Sequence, residues 1–246
     1  MIDIETVAES DGLFFYCCMS TISDTIKRLR QELPSGVKLV AVSKFHPAEA
    51  IEEAYAAGQR TFGESRPQEL YAKVQALPYP DIEWHFIGHL QTNKLKLVLP
   101  YVAMVESVDS LHLLEAIDRW GAENGRTIEV LLEYHIASEE TKQGFGREEI
   151  LAIVSGDRRK YSNVRIRGLM GMATFTDDEK VVRSDFSKLM TLYSEIVSLR
   201  DRGSCAEIGQ DFNIRSFGMT HDYRIAVEMG ADMVRIGTLI FGERVY

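Results

Sequence analysis

The first residues able to do chemistry stand at the end of an apolar run. Leu39-Val40-Ala41-Val42-Ser43-Lys44 reads as a strand buried on both faces, with a lysine where it runs out. Lysine is among the residues least often fully buried, so this position needs a reason. In apolar surroundings its amine loses proton affinity and can attack a carbonyl to form a Schiff base. A stem packed on the strand with its head in water is the plainer account of the same residue. A second set lies near the C-terminus, in Ser216-Phe217-Gly218-Met219-Thr220 and Arg235-Ile236-Gly237-Thr238. Glycine lets backbone approach a ligand closely. Gly218-Met219-Thr220 leads into helix signals near Asp222, whose N–H groups and dipole would favour an anion. Arg235 adds a fixed positive charge, and Thr220 and Thr238 add hydroxyls. Capping, with Arg235 paired to a nearby acid, would also explain either loop taken singly.

The elements that must position these residues alternate. Strand-like runs cover Val37 to Ser43, Arg60 to Phe62, Ile82 to Ile87, Tyr101 to Val105, Ile128 to Tyr134, Val164 to Met170, Ile214 to Phe217 and Met233 to Ile236. Helix signals separate them, including Ala48 to Ala57 closed by Gly58, Ser110 to Asn124, and a long amphipathic stretch from Asp177 to Arg200. Such alternation means parallel strands with helical crossovers, and this many units in 246 residues predict an α/β chain folded as a single (β/α)8 barrel of the TIM type. An open doubly wound sheet is the rival, but no Gly-x-Gly-x-x-Gly follows a strand. A helix from about Met19 to Leu33 precedes the first strand, and residues 1–18 read as a loosely attached extension to a barrel over 19–246. In such a barrel the functional residues come from the C-terminal strand ends, here Ser43-Lys44, Gly63-Glu64-Ser65, Gly88-His89, Met170-Gly171-Met172 and, opposite the lysine, the two glycine turns that matter most.

Composition narrows the possibilities. A net charge of −9, from 28 basic and 37 acidic residues, argues against broad nucleic-acid binding. Three cysteines, two of them adjacent, do not make a disulfide framework, and no Cys/His cluster has metal-ligand spacing. The early apolar run from Leu13 to Met19 is too short to cross a bilayer, and no basic residue precedes it. A cytoplasmic protein with no membrane partner and no metal is expected.

A strand-end amine and a phosphate cradle in one barrel mouth suit pyridoxal 5'-phosphate (PLP), which carries an aldehyde for the one and a phosphate for the other. Val40-Ala41-Val42-Ser43-Lys44, Phe62-Gly63-Glu64, His85-Phe86-Ile87-Gly88-His89-Leu90-Gln91-Thr92-Asn93-Lys94, Gly168-Leu169-Met170-Gly171-Met172, Ser216-Phe217-Gly218-Met219-Thr220 and Val234-Arg235-Ile236-Gly237-Thr238 together resemble the pyridoxal phosphate homeostasis protein family. That family in turn resembles the barrel domain of alanine racemases.

The resemblance implies that Lys44 is the Schiff-base lysine and that Ser216, Gly218, Met219, Thr220, Gly237 and Thr238 surround the cofactor phosphate. Arg235 matches an arginine facing either the phosphate or the ring nitrogen, and Ser65, His85 and Met172 fall in motifs close to the pocket. The family usually reads Phe-Gly-Glu-Asn where this chain has Ser65, a shorter residue without amide donors. The implied role is a carrier that holds PLP, limits free aldehyde and supplies PLP-dependent apoenzymes, in vitamin B6 and amino-acid/keto-acid balance, with a monomer expected and no established catalytic residue. The alternative is a weak PLP-dependent racemase or decarboxylase. Racemisation needs acid–base groups on both cofactor faces, and the ten residues after the eighth strand leave no room for the second domain that completes a racemase site. Tyr134, His85 and His89 could substitute but read better as strand or packing residues. A sugar-phosphate aldolase using Lys44 fits the physics but not the motifs.

Overall fold

The computed structural model describes residues 21–138, 143–156, 160–205 and 208–243. Its parallel strands are β1 (Lys38–Val42), β2 (Thr61–Glu64), β3 (Glu83–Phe86), β4 (Val102–Val108), β5 (Ile128–Tyr134), β6 (Val164–Gly171), β7 (Ile214–Ser216) and β8 (Met233–Ile236). They pair in chain order, and β8 closes on β1 with Ala41 opposite Ile236, so the barrel predicted from the alternation is present. The expected extension over residues 1–18 lies outside the described residues.

Around the strands run α1 (Ile22–Glu32), α2 (Ala48–Ala56), α3 (Pro67–Ala76), α4 (Leu95–Val98), α5 (Leu111–Asn124), α6 (Arg147–Val154), α7 (Glu179–Asp201), α8 (Tyr223–Glu228) and α9 (Thr238–Phe241). Their ends follow local chemistry. Thr21 caps α1 by accepting from the Asp24 N–H, and Ser110 caps α5 by accepting from the Leu113 N–H. Gly125 closes α5 in the left-handed conformation. α9 has only four residues, and α1 fills the outer ring between α8 and α2. There the Tyr223 hydroxyl donates to Glu32 at 2.8 Å, and Arg30 donates to the Gly58 carbonyl at 2.5 Å.

Two apolar layers result. The outer one packs helices on the barrel wall through residues such as Leu39, Phe62, Phe86, Val130, Leu169 and Ile236. The inner one is small, with Met104, Leu131 and Met170 meeting inside the barrel and Met172 and Ile214 against them. Wall curvature needs one glycine in particular. Gly168 has φ +157°, and a Cβ there would lie 1.8 Å from the Ile214 carbonyl oxygen on β7. At the N-terminal end of the barrel, charged residues pair with one another: Lys38 with Glu83, Arg167 with Glu129, Arg215 with Asp232. In barrels of this kind that end serves stability, and the functional residues gather at the other rim.

Candidate functional site

The C-terminal ends of β1, β7 and β8 form one continuous corner. Gly237 follows β8 so closely packed on β1 that a Cβ would lie 3.1 Å from the Val42 carbonyl oxygen. The Gly237 N–H donates to the Thr220 hydroxyl at 3.3 Å, which joins the β7 turn to the β8 turn. Just beyond, the His46 ring of the β1–α2 loop stacks on Phe241 of α9 at 5.3 Å. Lys44 is half-buried in this corner. Ser43 points into the outer layer, where its hydroxyl donates to Glu64 at 2.6 Å, and Lys44 follows it in the turn that leaves β1. The glycine turns were expected opposite the lysine. Barrel closure puts β8 beside β1, so they flank it instead.

The turn after β7 depends on Gly218, whose φ is +97° and whose missing Cβ would lie 2.5 Å from the Ala226 Cβ. The helix expected from Asp222 begins at Tyr223 and is six residues long. Asp222 precedes it, and its Oδ1 accepts from the Met219 N–H at 2.5 Å, so that donor is already engaged. The other Asp222 carboxylate oxygen is buried without a hydrogen-bond partner. Thr238 and Leu239 open α9, where a backbone N–H has no acceptor within its own helix. Thr238 is exposed; Met219 and Thr220 are half-buried.

Ser216 and Arg235 lie deeper than the turns that follow them. The Arg235 guanidinium donates to the Ser216 hydroxyl at 2.6 Å, to the Ser216 carbonyl at 2.9 Å and to the Gly171 carbonyl at 2.9 Å. Ser216 donates on to Glu106 at 2.6 Å, and the other Glu106 oxygen meets His85 Nδ1 at 2.6 Å. This chain crosses the barrel interior from β8 to β3. Burial pushes the Glu106 carboxyl up, but His85, the Arg235 charge and the Ser216 hydroxyl outweigh it and hold the group below the ordinary glutamate range. A buried charge held this way is costly to break.

The remaining expected residues separate. His85 is enclosed in the interior on Glu106 rather than presented at the rim, because β3 aims its ring inward below the strand end. His89 is exposed and meets Asp109 at 2.8 Å, and Tyr134 packs against the outer layer. Met172 sits above the inner methionine cluster, at the mouth. Ser65 belongs to the adjoining corner, where a Cβ on Gly88 would lie 2.3 Å from its carbonyl oxygen.

Glu64 was read at a strand end; four further acidic and basic residues of this region were not anticipated. Glu106 and Glu133 are buried on β4 and β5, while Glu64, Glu69 and Lys73 surround the base of the Lys44 loop. Glu133 lies two residues beyond the inward Leu131, and burial, with Asp109 nearby, raises its carboxyl to about 7. A charged residue directly after the apolar run Val130-Leu131-Leu132, on a strand that also carries Glu129, was the available signal.

The chain is similar to known proteins in sequence and fold. The family profile described as "Alanine racemase, N-terminal domain" matches residues 18–245. The pyridoxal phosphate homeostasis protein of Aquifex aeolicus is 38% identical over 235 residues, covering 93% of this chain and 97% of that one. The chain belongs to the pyridoxal phosphate homeostasis protein family. Another structure aligned with it, PipY from Synechococcus elongatus with PLP bound, is 35% identical, with a TM-score of 0.77 over 90% of this chain and all of that one. Alanine racemase from Corynebacterium glutamicum shares the fold at 13% identity, with a TM-score of 0.68 over 92% of this chain and 61% of that one. Within the homeostasis family fold, then, the Lys44 loop and the turns after β7 and β8 are the parts gathered at one rim.

Proposed function

We propose that this chain binds PLP at the β1/β7/β8 corner and serves as a carrier in PLP homeostasis, with Lys44 supplying the amine that forms a Schiff base with the aldehyde. The contact that carries this reading is Gly237 against Val42, with Thr220 on the Gly237 N–H. It sets two glycine turns beside the loop of a half-buried lysine. The donor set fits the cofactor. Gly218, Thr220, Gly237 and Thr238 offer close backbone approach and hydroxyls to the phosphate. Arg235, with Ser216 behind it, supplies positive charge from below, and Met172 lines the approach. Ser65 is the weaker contact, and His85 acts through Glu106 rather than by touching the ligand. PLP, when bound, supplies a reactive carbonyl; the chain's residues bind and orient it. PipY with PLP bound supports the reading by likeness.

The same reading makes the protein a cytoplasmic monomer that passes PLP to PLP-dependent apoenzymes. Among the described residues no helix is long and apolar enough to cross a membrane. The test is an absorbance spectrum of the protein with PLP, before and after borohydride, with peptide mapping. The imine band should disappear in Lys44→Ala, whose melting temperature should stay near wild type. A band that survives Lys44→Ala refutes the assignment. A weak PLP-dependent racemase or decarboxylase is the second reading, favoured by Glu133, an inward carboxyl able to exchange a proton near neutral pH. Turnover of alanine at ordinary enzyme rates would establish it over the carrier.

A further inference from the structure

The loop that carries Lys44 is tied down on both sides of that residue. On one side, Ser43 is fully buried; its hydroxyl donates to Glu64 Oε1 at 2.6 Å, and its carbonyl accepts from Lys73 Nζ at 2.8 Å. On the other side, Phe45 stands at φ +68°, a conformation that costs a non-glycine residue about 1 kcal/mol or more. Its N–H donates to Glu69 Oε1 at 2.6 Å, and the Arg66 guanidinium lies 4.3 Å from its ring centroid. Both ties converge on α3. Lys73 Nζ has three N–H donors and three acceptors in place: the Ser43 carbonyl, Glu64 Oε1 at 2.6 Å and Glu69 Oε1 at 2.7 Å. Glu69 and Lys73 are one helical turn apart, so one face of α3 holds the main chain before and after Lys44.

A buried ion pair serving only the core would have no reason to end on the backbone of two residues flanking a reactive lysine. We propose that Glu69 and Lys73 are positioning residues that hold the β1–α2 turn in its strained form, so that the Lys44 amine stands where a ligand carbonyl arrives. Lys73, with every donor engaged, takes no part in the bond itself. In that step Lys44 Nζ bonds to the carbonyl carbon, and the carbonyl oxygen leaves as water with the two hydrogens of the neutral amine. The clamp therefore acts on carbon–nitrogen bond formation and not on retention of the phosphate. The inference rests on the Schiff-base reading of Lys44.

Two ligands separate the effects in the full-length protein. PLP can form the imine; pyridoxine 5'-phosphate, with an alcohol in place of the aldehyde, cannot. For Glu69→Ala and Lys73→Met, the rate and yield of the imine band with PLP should fall by about tenfold or more, the scale of one charge-assisted hydrogen bond. The dissociation constant for pyridoxine 5'-phosphate should stay within about twofold of wild type. Glu69→Gln, which keeps the acceptor, should recover much of the imine rate. Parallel loss of both ligands, or an unchanged imine rate, overturns the proposal. Should Lys73→Met fail to fold, the half-buried Glu69 variants decide. Wild type and Lys44→Ala are run alongside: no band in wild type refutes the Lys44 reading itself, whereas a normal band in Glu69→Ala refutes the clamp alone.

Discussion

Replacing Glu133 with glutamine should change how the protein's stability responds to pH. The carboxyl is 5% exposed, lies on β5 beyond the inward Leu131, and feels Asp109, Arg235 and His89 around it. Burial and the Asp109 charge raise it from 4.5 to about 7, against the pull of Arg235 and His89. The folded state thus holds this proton more tightly than the unfolded chain does. Between those two values the folded state binds more protons, so stability falls as pH rises, and the loss is complete above about 7. A shift of this size corresponds to about 3 kcal/mol, most of it accruing between roughly pH 5 and pH 8. Glutamine has the same shape and does not ionise. The melting temperature of Glu133→Gln relative to wild type should therefore rise by about 5 to 10 °C between those pH values, given about 2 to 4 °C per kcal/mol for a chain of this length. Scanning calorimetry of both proteins without PLP measures this directly, since all other titrating groups are shared. Parallel melting curves against pH would show that water or a counter-charge reaches Glu133, and the buried-acid argument would fail.

Arg235→Ala should release PLP on desalting at least about tenfold more readily than the exposed control Arg119→Ala, and should also destabilise the apo protein by about 3 kcal/mol because Glu106 loses its guanidinium partner. Equal PLP retention in the two variants would remove Arg235 from the site. Gly218→Ala should lower stability by about 2 kcal/mol, since φ +97° and the Ala226 Cβ both oppose a side chain. It should weaken pyridoxine 5'-phosphate and PLP alike, in contrast to the Glu69 variants; unchanged binding of both would show that this turn does not hold the phosphate.

The barrel was legible because each strand is a short apolar run and each crossover carries its own stop signals. Ile128–Tyr134 and Met233–Ile236 match the sequence expectation residue for residue. β4 was cut short at Val105 because Glu106 and Ser107 look like the start of a loop; inside the barrel Glu106 is instead satisfied by His85 and Ser216, which local sequence does not reveal. The four residues of α9 are too few to show a helical period. The lysine and the glycine turns could be read off strand ends, but whether the turns faced or flanked the lysine depended on closure between β1 and β8. Glu69 and Lys73 were hidden by their own spacing, since an acid and a base one turn apart usually mark a solvated face.

The seat of α1 in the outer ring has a consequence for how the chain is made. The helix that completes the ring is among the earliest described residues, and it leans on Tyr223, 191 positions later. Contacts of such sequence separation form slowly, because a long loop must close before they repay its entropy. A nascent chain therefore carries α1 with one flank uncovered until Tyr223 and the strand after it have left the ribosome.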